Sequence, residues 1–269
     1  MVKKLIKHEF TAMGRLLLPM YIILLGLSVI TRIILFFEND SVIYSIISGS
    51  AIFVLALGLV AGTMYTVVSS IIRFYKNLFS KEGYLTFTLP VTVEAHLFTK
   101  LLVAVVSYLS SFAVIFGAFC IATSGELLVE IFKAADFLFG KAFESLGANL
   151  IIYIAEIIVY ALVSCCSGFM LYYACMCIGQ LAKRSRVLLA IGVYFGYYYI
   201  TQILVTLCMV LFSVFAESDF MIDLSMWIYN NAILAGHLFL IALISGAVIM
   251  GAVYYLIAHS IMKKKLNLE

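Results

Sequence analysis

Apolar residues run in long blocks along this chain, and polar positions collect in the short stretches between them. Six blocks stand out: about residues 16–37, broken by Arg32; 41–72, uncharged; 97–123, with Lys100 at its mouth; 148–182, holding Glu156; 187–216; and 231–262. A helix rises about 1.5 Å per residue, so about 20 apolar residues cross a hydrocarbon core of about 30 Å. Each block therefore predicts a transmembrane helix. Several exceed one crossing, which predicts tilt or extension beyond the membrane. The fold class expected is an all-α membrane protein of six transmembrane helices.

The intervening stretches carry their own patterns. In residues 1–15, Val2, Leu5, Ile6, Phe10 and Met13 recur at helical spacing opposite Lys3, Lys4, Lys7 and His8. This predicts an amphipathic elbow helix on the inner leaflet, the alternative being a polybasic flank that only fixes topology. No small-residue cleavage site follows the lysines, so the segment reads as structure rather than a signal peptide. Residues 124–147 set Leu127, Leu128, Ile131, Phe132, Ala135, Leu138 and Phe139 against Glu126, Glu130, Lys133 and Lys141, predicting an outer interfacial helix. Residues 216–231 are acidic and carry the single tryptophan, Trp227, at a place suited to an interface anchor. Residues 263–269 form a basic cytoplasmic tail.

Composition agrees with the pattern. Of 269 residues, 65% are hydrophobic and 12% charged, against about a quarter charged in a soluble domain. Charge placement sets the orientation. With the N-terminus inside, the cytoplasmic side holds Lys3, Lys4, Lys7, Arg15, Arg73, Lys76, Lys81, Lys100, Lys183, Arg184, Arg186, Lys263, Lys264 and Lys265, out of 17 basic residues. Glu38, Asp40, Glu126, Glu130, Asp136, Glu144, Glu217, Asp219 and Asp223 fall outside. Both termini are thus expected in the cytoplasm. The 6 cysteines all lie in apolar stretches without zinc-ligand spacing, and read as small packing residues.

The largest inner segment, residues 73–96, mixes charge with aromatics: Phe74, Tyr75, Phe79, Tyr84 and Phe87. Aromatic side chains favour interfaces, so the segment reads as a docking knuckle, the alternative being rings lying among lipid headgroups. Gly83 is expected to end the helical run from the second span. Pro90 is expected to end an extended piece, Thr92 to cap the next helix, and Glu94 to lie in its first turn. Over Arg73-Phe-Tyr-Lys-Asn-Leu-Phe-Ser and Glu82-Gly-Tyr-Leu-Thr-Phe-Thr-Leu-Pro-Val the sequence resembles the permease subunits of type-2 ABC exporters, especially the short six-span permeases of Gram-positive bacteria. The elbow helix, the six spans and the inside termini extend the resemblance over nearly the whole chain. The outer segment departs from it: the lipid and polysaccharide exporters of this architecture place their main external element between spans five and six, whereas the larger outer segment here lies between spans three and four.

The resemblance implies a cytoplasmic coupling helix between spans two and three, with Lys76, Phe79, Lys81, Glu82, Gly83, Tyr84, Leu85 and Phe87 meeting an ABC ATPase. It implies two copies of that ATPase, and a homodimer or a heterodimer with a second permease, in the plasma (inner) membrane of a bacterium. A phosphate-cradling loop needs Gly-x-x-x-x-Gly-Lys-Ser/Thr, but Gly140-Lys141 is followed by Ala142 and preceded by Ala135 at the first glycine position. No cofactor is expected in this chain; ATP and Mg belong to the partner ATPase, and the chain is not itself an enzyme.

Within the spans, a buried charge costs at least about 2.5 kcal/mol and normally finds a partner. An Arg32–Glu156 pair is the favoured reading; a substrate or proton-coupling role for Glu156, or snorkelling, are the alternatives. His237 and His259 read as packing residues. Small residues four apart, at Gly58/Gly62, Gly192/Gly196, Ala242/Gly246 and Ala247/Gly251, allow close helix approach. The resemblance implies that spans two and five surround a central dimer axis, which makes Thr66 and Ser69 on span two and Tyr194, Tyr198 and Gln202 on span five candidate pathway linings; helix–helix hydrogen bonding and an aromatic belt are the alternative. The function expected is the permease subunit of an exporter for a hydrophobic peptide, antimicrobial or lipid-like compound. The alternatives are a secondary transporter, which would show inverted repeats and several intramembrane charges, and an intramembrane enzyme, which would need a constellation that Glu156 and scattered histidines do not supply.

Overall fold

A computed structural model describes residues 2–37, 41–79, 91–123, 125–182 and 185–264. The described residues form eight helices: α1 (Val2–Phe36), α2 (Val42–Phe79), α3 (Val93–Ala122), α4 (Glu126–Leu146), α5 (Asn149–Gly179), α6 (Arg186–Val214), α7 (Asp219–Asn230) and α8 (Ala232–Lys264). Six of them, α1, α2, α3, α5, α6 and α8, are long and apolar enough to cross a membrane. They match the six hydrophobic blocks. Large apolar side chains stand on their outer surfaces, among them Ile23 at 68%, Phe53 at 64% and Phe239 at 65% exposed, an arrangement suited to lipid. The chain is a multi-pass membrane protein.

Helix boundaries follow local chemistry. Thr92 caps α3, its hydroxyl accepting from the Ala95 amide at 3.4 Å, and Glu94 lies in the first turn. Gly125 (φ 74°) and Gly147 (φ 54°) bracket α4 in the left-handed region that L side chains avoid, isolating it as a helix of its own. Ser218 caps α7 by accepting from the Met221 amide. Two elements run longer than expected. Residues 2–15 continue into the first span without a break, so α1 is a single helix of 35 residues, ~52 Å long, carrying Pro19 inside it. The second span continues as helix through Phe79, giving α2 38 residues. The expected breaks at Gly83 and Pro90 lie outside the described residues.

The chain divides into two compact units, residues 1–141 and 142–267. In the first, α1, α2 and α3 pack on one another. Glu9 meets Arg73 and Asn77, Leu24 lies under Gly58 and Gly62, and the Tyr44 hydroxyl reaches the Leu35 carbonyl, so α1 and α2 are antiparallel. Glu9 meets Lys100 and Tyr21 meets Ser110 and Ser111, so α1 and α3 are parallel. The interior here is small and polar: Ser28, Thr31 and Thr66 are fully buried, and Ser111 is nearly so. Lipid supplies no hydrophobic force between spans, so small hydroxyl residues, which permit close approach and bond across it, occupy the contacts. Apolar side chains are buried beside them, Phe74, Leu78 and Leu97 among the most fully, and Met13, Leu17 and Val103 pack as one cluster. In the second unit, α5 and α8 run parallel, with Tyr153 beside Ile233, Glu156 beside His237 and Ser167 beside Gly251. α6 runs against α5, with Tyr194 on Tyr172 and Ala190 against Gly179.

Candidate functional site

The buried face of α1 reads Glu9, Met13, Leu17, Leu24, Ser28 and Thr31. A carboxylate therefore opens a stripe whose other members are apolar or small. The exposed face carries Lys3, Lys4, Lys7 and His8, as the helical spacing predicts. Arg73 and Asn77, one turn apart near the end of α2, face Glu9 from one side. Lys100, one turn into α3 beyond the buried His96, faces it from the other.

Each carboxylate oxygen is engaged. Oε1 accepts from Lys100 Nζ at 2.6 Å and from Asn77 Nδ2 at 2.9 Å, and Oε2 accepts from Arg73 Nη2 at 2.9 Å. Glu9 is 4% exposed and Lys100 6%. A carboxylate so enclosed is tolerable only because two cations and an amide replace its water. The site ties three helices together, and two of the three are the flanks of the 73–96 segment. Sequence reasoning missed Glu9. The available signal was an acid in helical register with Met13 and Leu17.

Of the residues expected to couple to a partner, Lys76 is exposed on α2. Phe79 is not available: it is 5% exposed, with its ring 5.7 Å from that of Phe74, which is fully buried. Those two aromatics are used up inside the chain. Lys81, Glu82, Gly83, Tyr84, Leu85 and Phe87 lie outside the described residues.

The candidate pathway residues separate. Thr66 and Ser69 are buried within the first unit, and the Thr66 hydroxyl bonds that of Ser111 at 2.8 Å, which in turn bonds Tyr21 at 2.7 Å. Tyr198 and Gln202 stand exposed on α6, while Tyr194 is half-buried against Tyr172. For Thr66, then, helix–helix hydrogen bonding is what the geometry contains.

No family model, curated protein or solved structure matches this chain. What it does rests on its own residues.

Glu156 has a partner that charge counting did not suggest. His237 Nδ1 lies 2.9 Å from its Oε2, and the Tyr153 ring stacks on the imidazole at 4.1 Å and 11°. The requirement behind the expected Arg32–Glu156 pair, a partner for an intramembrane carboxylate, is met by a histidine of the same unit. Arg32 belongs to the first unit, half-buried on α1. The spacing that expected His237 as a packing residue could not see that α5 and α8 run parallel and in register. Among the described residues no three His, Cys, Asp or Glu side chains gather to hold a metal.

Proposed function

We propose that this protein is the membrane subunit of an ATP-driven exporter, coupled to a separate ATPase through the segment between α2 and α3. The observation that carries the reading is the Glu9 cluster. A loop that receives force from a partner must be mechanically continuous with the spans it moves. Here Arg73 and Asn77 on one flank and Lys100 on the other bind the same buried carboxylate of α1. Displacement of either flank is therefore passed to α1, α2 and α3 together. The resemblance of the segment to the coupling region of type-2 exporter permeases supplies the partner's identity. Nucleotide-driven closure of the ATPases would shift a two-state equilibrium by contacting the loop differently in its two states.

With Phe79 buried, the docking anchors in this reading reduce to Tyr84, Leu85 and Phe87, with Lys76, Lys81 and Glu82 at the rim. Buried aromatic anchors dominate interface energetics, so Tyr84→Ala or Phe87→Ala costs about 2 kcal/mol of docking energy. The test is co-purification of the tagged protein with the ATPase encoded beside it, together with stimulation of ATP hydrolysis. Loss of both in these variants, with membrane insertion intact, is the expected result. Retention of stoichiometry and of stimulation would remove the exporter reading and leave a secondary transporter or an intramembrane enzyme.

A further inference from the structure

Among the described residues, Glu9 and Glu156 are held in opposite ways. Glu9 is pinned by an arginine and a lysine. Glu156 is held by an imidazole alone, and an imidazole carries charge only when protonated. We propose that Glu156 and His237 form a proton-binding clasp, in which one exchangeable proton shared by the pair ties α5 to α8.

Geometry presents the two groups to each other. The side chains of Glu156 and His237 are 16% and 15% exposed, with Nδ1 and Oε2 2.9 Å apart. Tyr153 fixes the ring: it stacks on the imidazole, and its hydroxyl donates to the Ile233 carbonyl at 2.7 Å. The position is open to the tyrosine because residue 236 is glycine, where a Cβ would collide with the Tyr153 hydroxyl. The clasp is built, with its imidazole wedged between a ring and a carboxylate.

Little else in the packed elements sets its charge. Glu156 is the only charged residue of α5, and Tyr153 and Tyr160 are the titratable side chains near it in sequence. α8 adds no other titratable group before Tyr254, Tyr255, His259 and the terminal lysines. α6, packed on α5, carries Arg186 at its first position, then only tyrosines and Cys208. α7, packed on α8, adds Asp219, Asp223 and Tyr229.

The proton count then decides the clasp's charge. With one proton the pair is net neutral, whether written as carboxylate and imidazolium or as carboxylic acid and imidazole. A second proton from water leaves carboxylic acid and imidazolium, with one net positive charge. Release of the shared proton to water leaves carboxylate and imidazole, with one net negative charge. A net charge in a span is costly, so the α5–α8 contact is tightest in the one-proton state and loosens on either side of it.

The test is a double-mutant cycle on the full chain in phosphatidylcholine nanodiscs, using E156Q, H237Q and the double variant, with thermal midpoints measured from about pH 5 to about pH 9. The cycle subtracts the titration of His8, His96 and His259. The expected result is a coupling between the two positions that changes at least about twofold across the range. A coupling that is absent, or the same at every pH, overturns the proposal. Y153F keeps both titrating groups and is expected to lower the midpoint equally at all pH values; loss of the pH dependence in Y153F would also overturn it. Should H237Q fail to insert, wild type against E156Q decides: identical pH profiles refute the clasp, and a flattened profile in E156Q supports it.

Discussion

Replacing Glu9 by alanine removes the acceptor shared by Arg73, Asn77 and Lys100, and leaves two cations facing each other at the root of α2 and α3. Deleting one partner of a buried ion pair costs about 3–5 kcal/mol, because the remaining charge is stranded. Lys100, with its side chain 7% exposed, loses its buried counter-ion with little access to water, while Arg73, at 18%, recovers part of its hydration. That places Glu9→Ala at about 3–4 kcal/mol. At about 2–4 °C per kcal/mol for a chain of this size, the midpoint falls by ~6–16 °C. Glu9→Gln keeps a carbonyl acceptor but loses the charge, and should fall between wild type and alanine. Replacing Glu9, Arg73 and Lys100 together by methionine should cost less than Glu9→Ala alone, because no charge is left without a partner. The assay is thermal scanning of the detergent-solubilised full chain, with the folded fraction read by size exclusion. A Glu9→Ala midpoint within about 2 °C of wild type, or a triple variant less stable than the single one, would refute the view that the cluster holds the first unit together.

Gly179→Ala should destabilise more than Gly62→Ala. Its Cβ would lie 2.6 Å from the Arg186 carbonyl oxygen, which is backbone, whereas at Gly62 the obstacle at 2.8 Å is the end of the Leu24 side chain; thermal midpoints should show about 2 kcal/mol or more for the first and less for the second. Thr66→Val and Ser111→Ala should couple by about 0.6 kcal/mol in a double-mutant cycle, the usual worth of an interhelical hydrogen bond between spans, and additivity would deny their bond any role. In a cysteine-free background, Lys76→Cys should resist an impermeant thiol reagent in intact cells while Lys133→Cys reacts; labelling of the first would overturn the orientation read from the basic residues.

The spans were legible because their physics is one-dimensional. Length and apolarity are written consecutively in the chain, and capping at Thr92 and the separate helix between Gly125 and Gly147 are equally local. The continuity of α1 was less so, since the charges of residues 1–15 suggested a boundary that the backbone does not make. The polar sites were illegible for a different reason. Glu9 with Lys100 and Glu156 with His237 depend on which helices run side by side and in what register, and hydropathy carries neither. Phe79 shows the converse: an aromatic in a loop-like context reads as an anchor until a buried neighbour, Phe74, accounts for it.

The Glu9 cluster also orders the making of the protein. Arg73 follows Glu9 by 64 residues and Lys100 follows it by 91, so the carboxylate enters the membrane surface long before its counter-ions are synthesised. A nascent chain halted after α2 holds Glu9 with one cation of its two, and its Met13–Leu17 stripe has no Val103 to cover it. The first unit therefore reaches its final form only when α3 arrives. Until then α1 is an incomplete part, its Glu9 carboxylate short of one of its two cations.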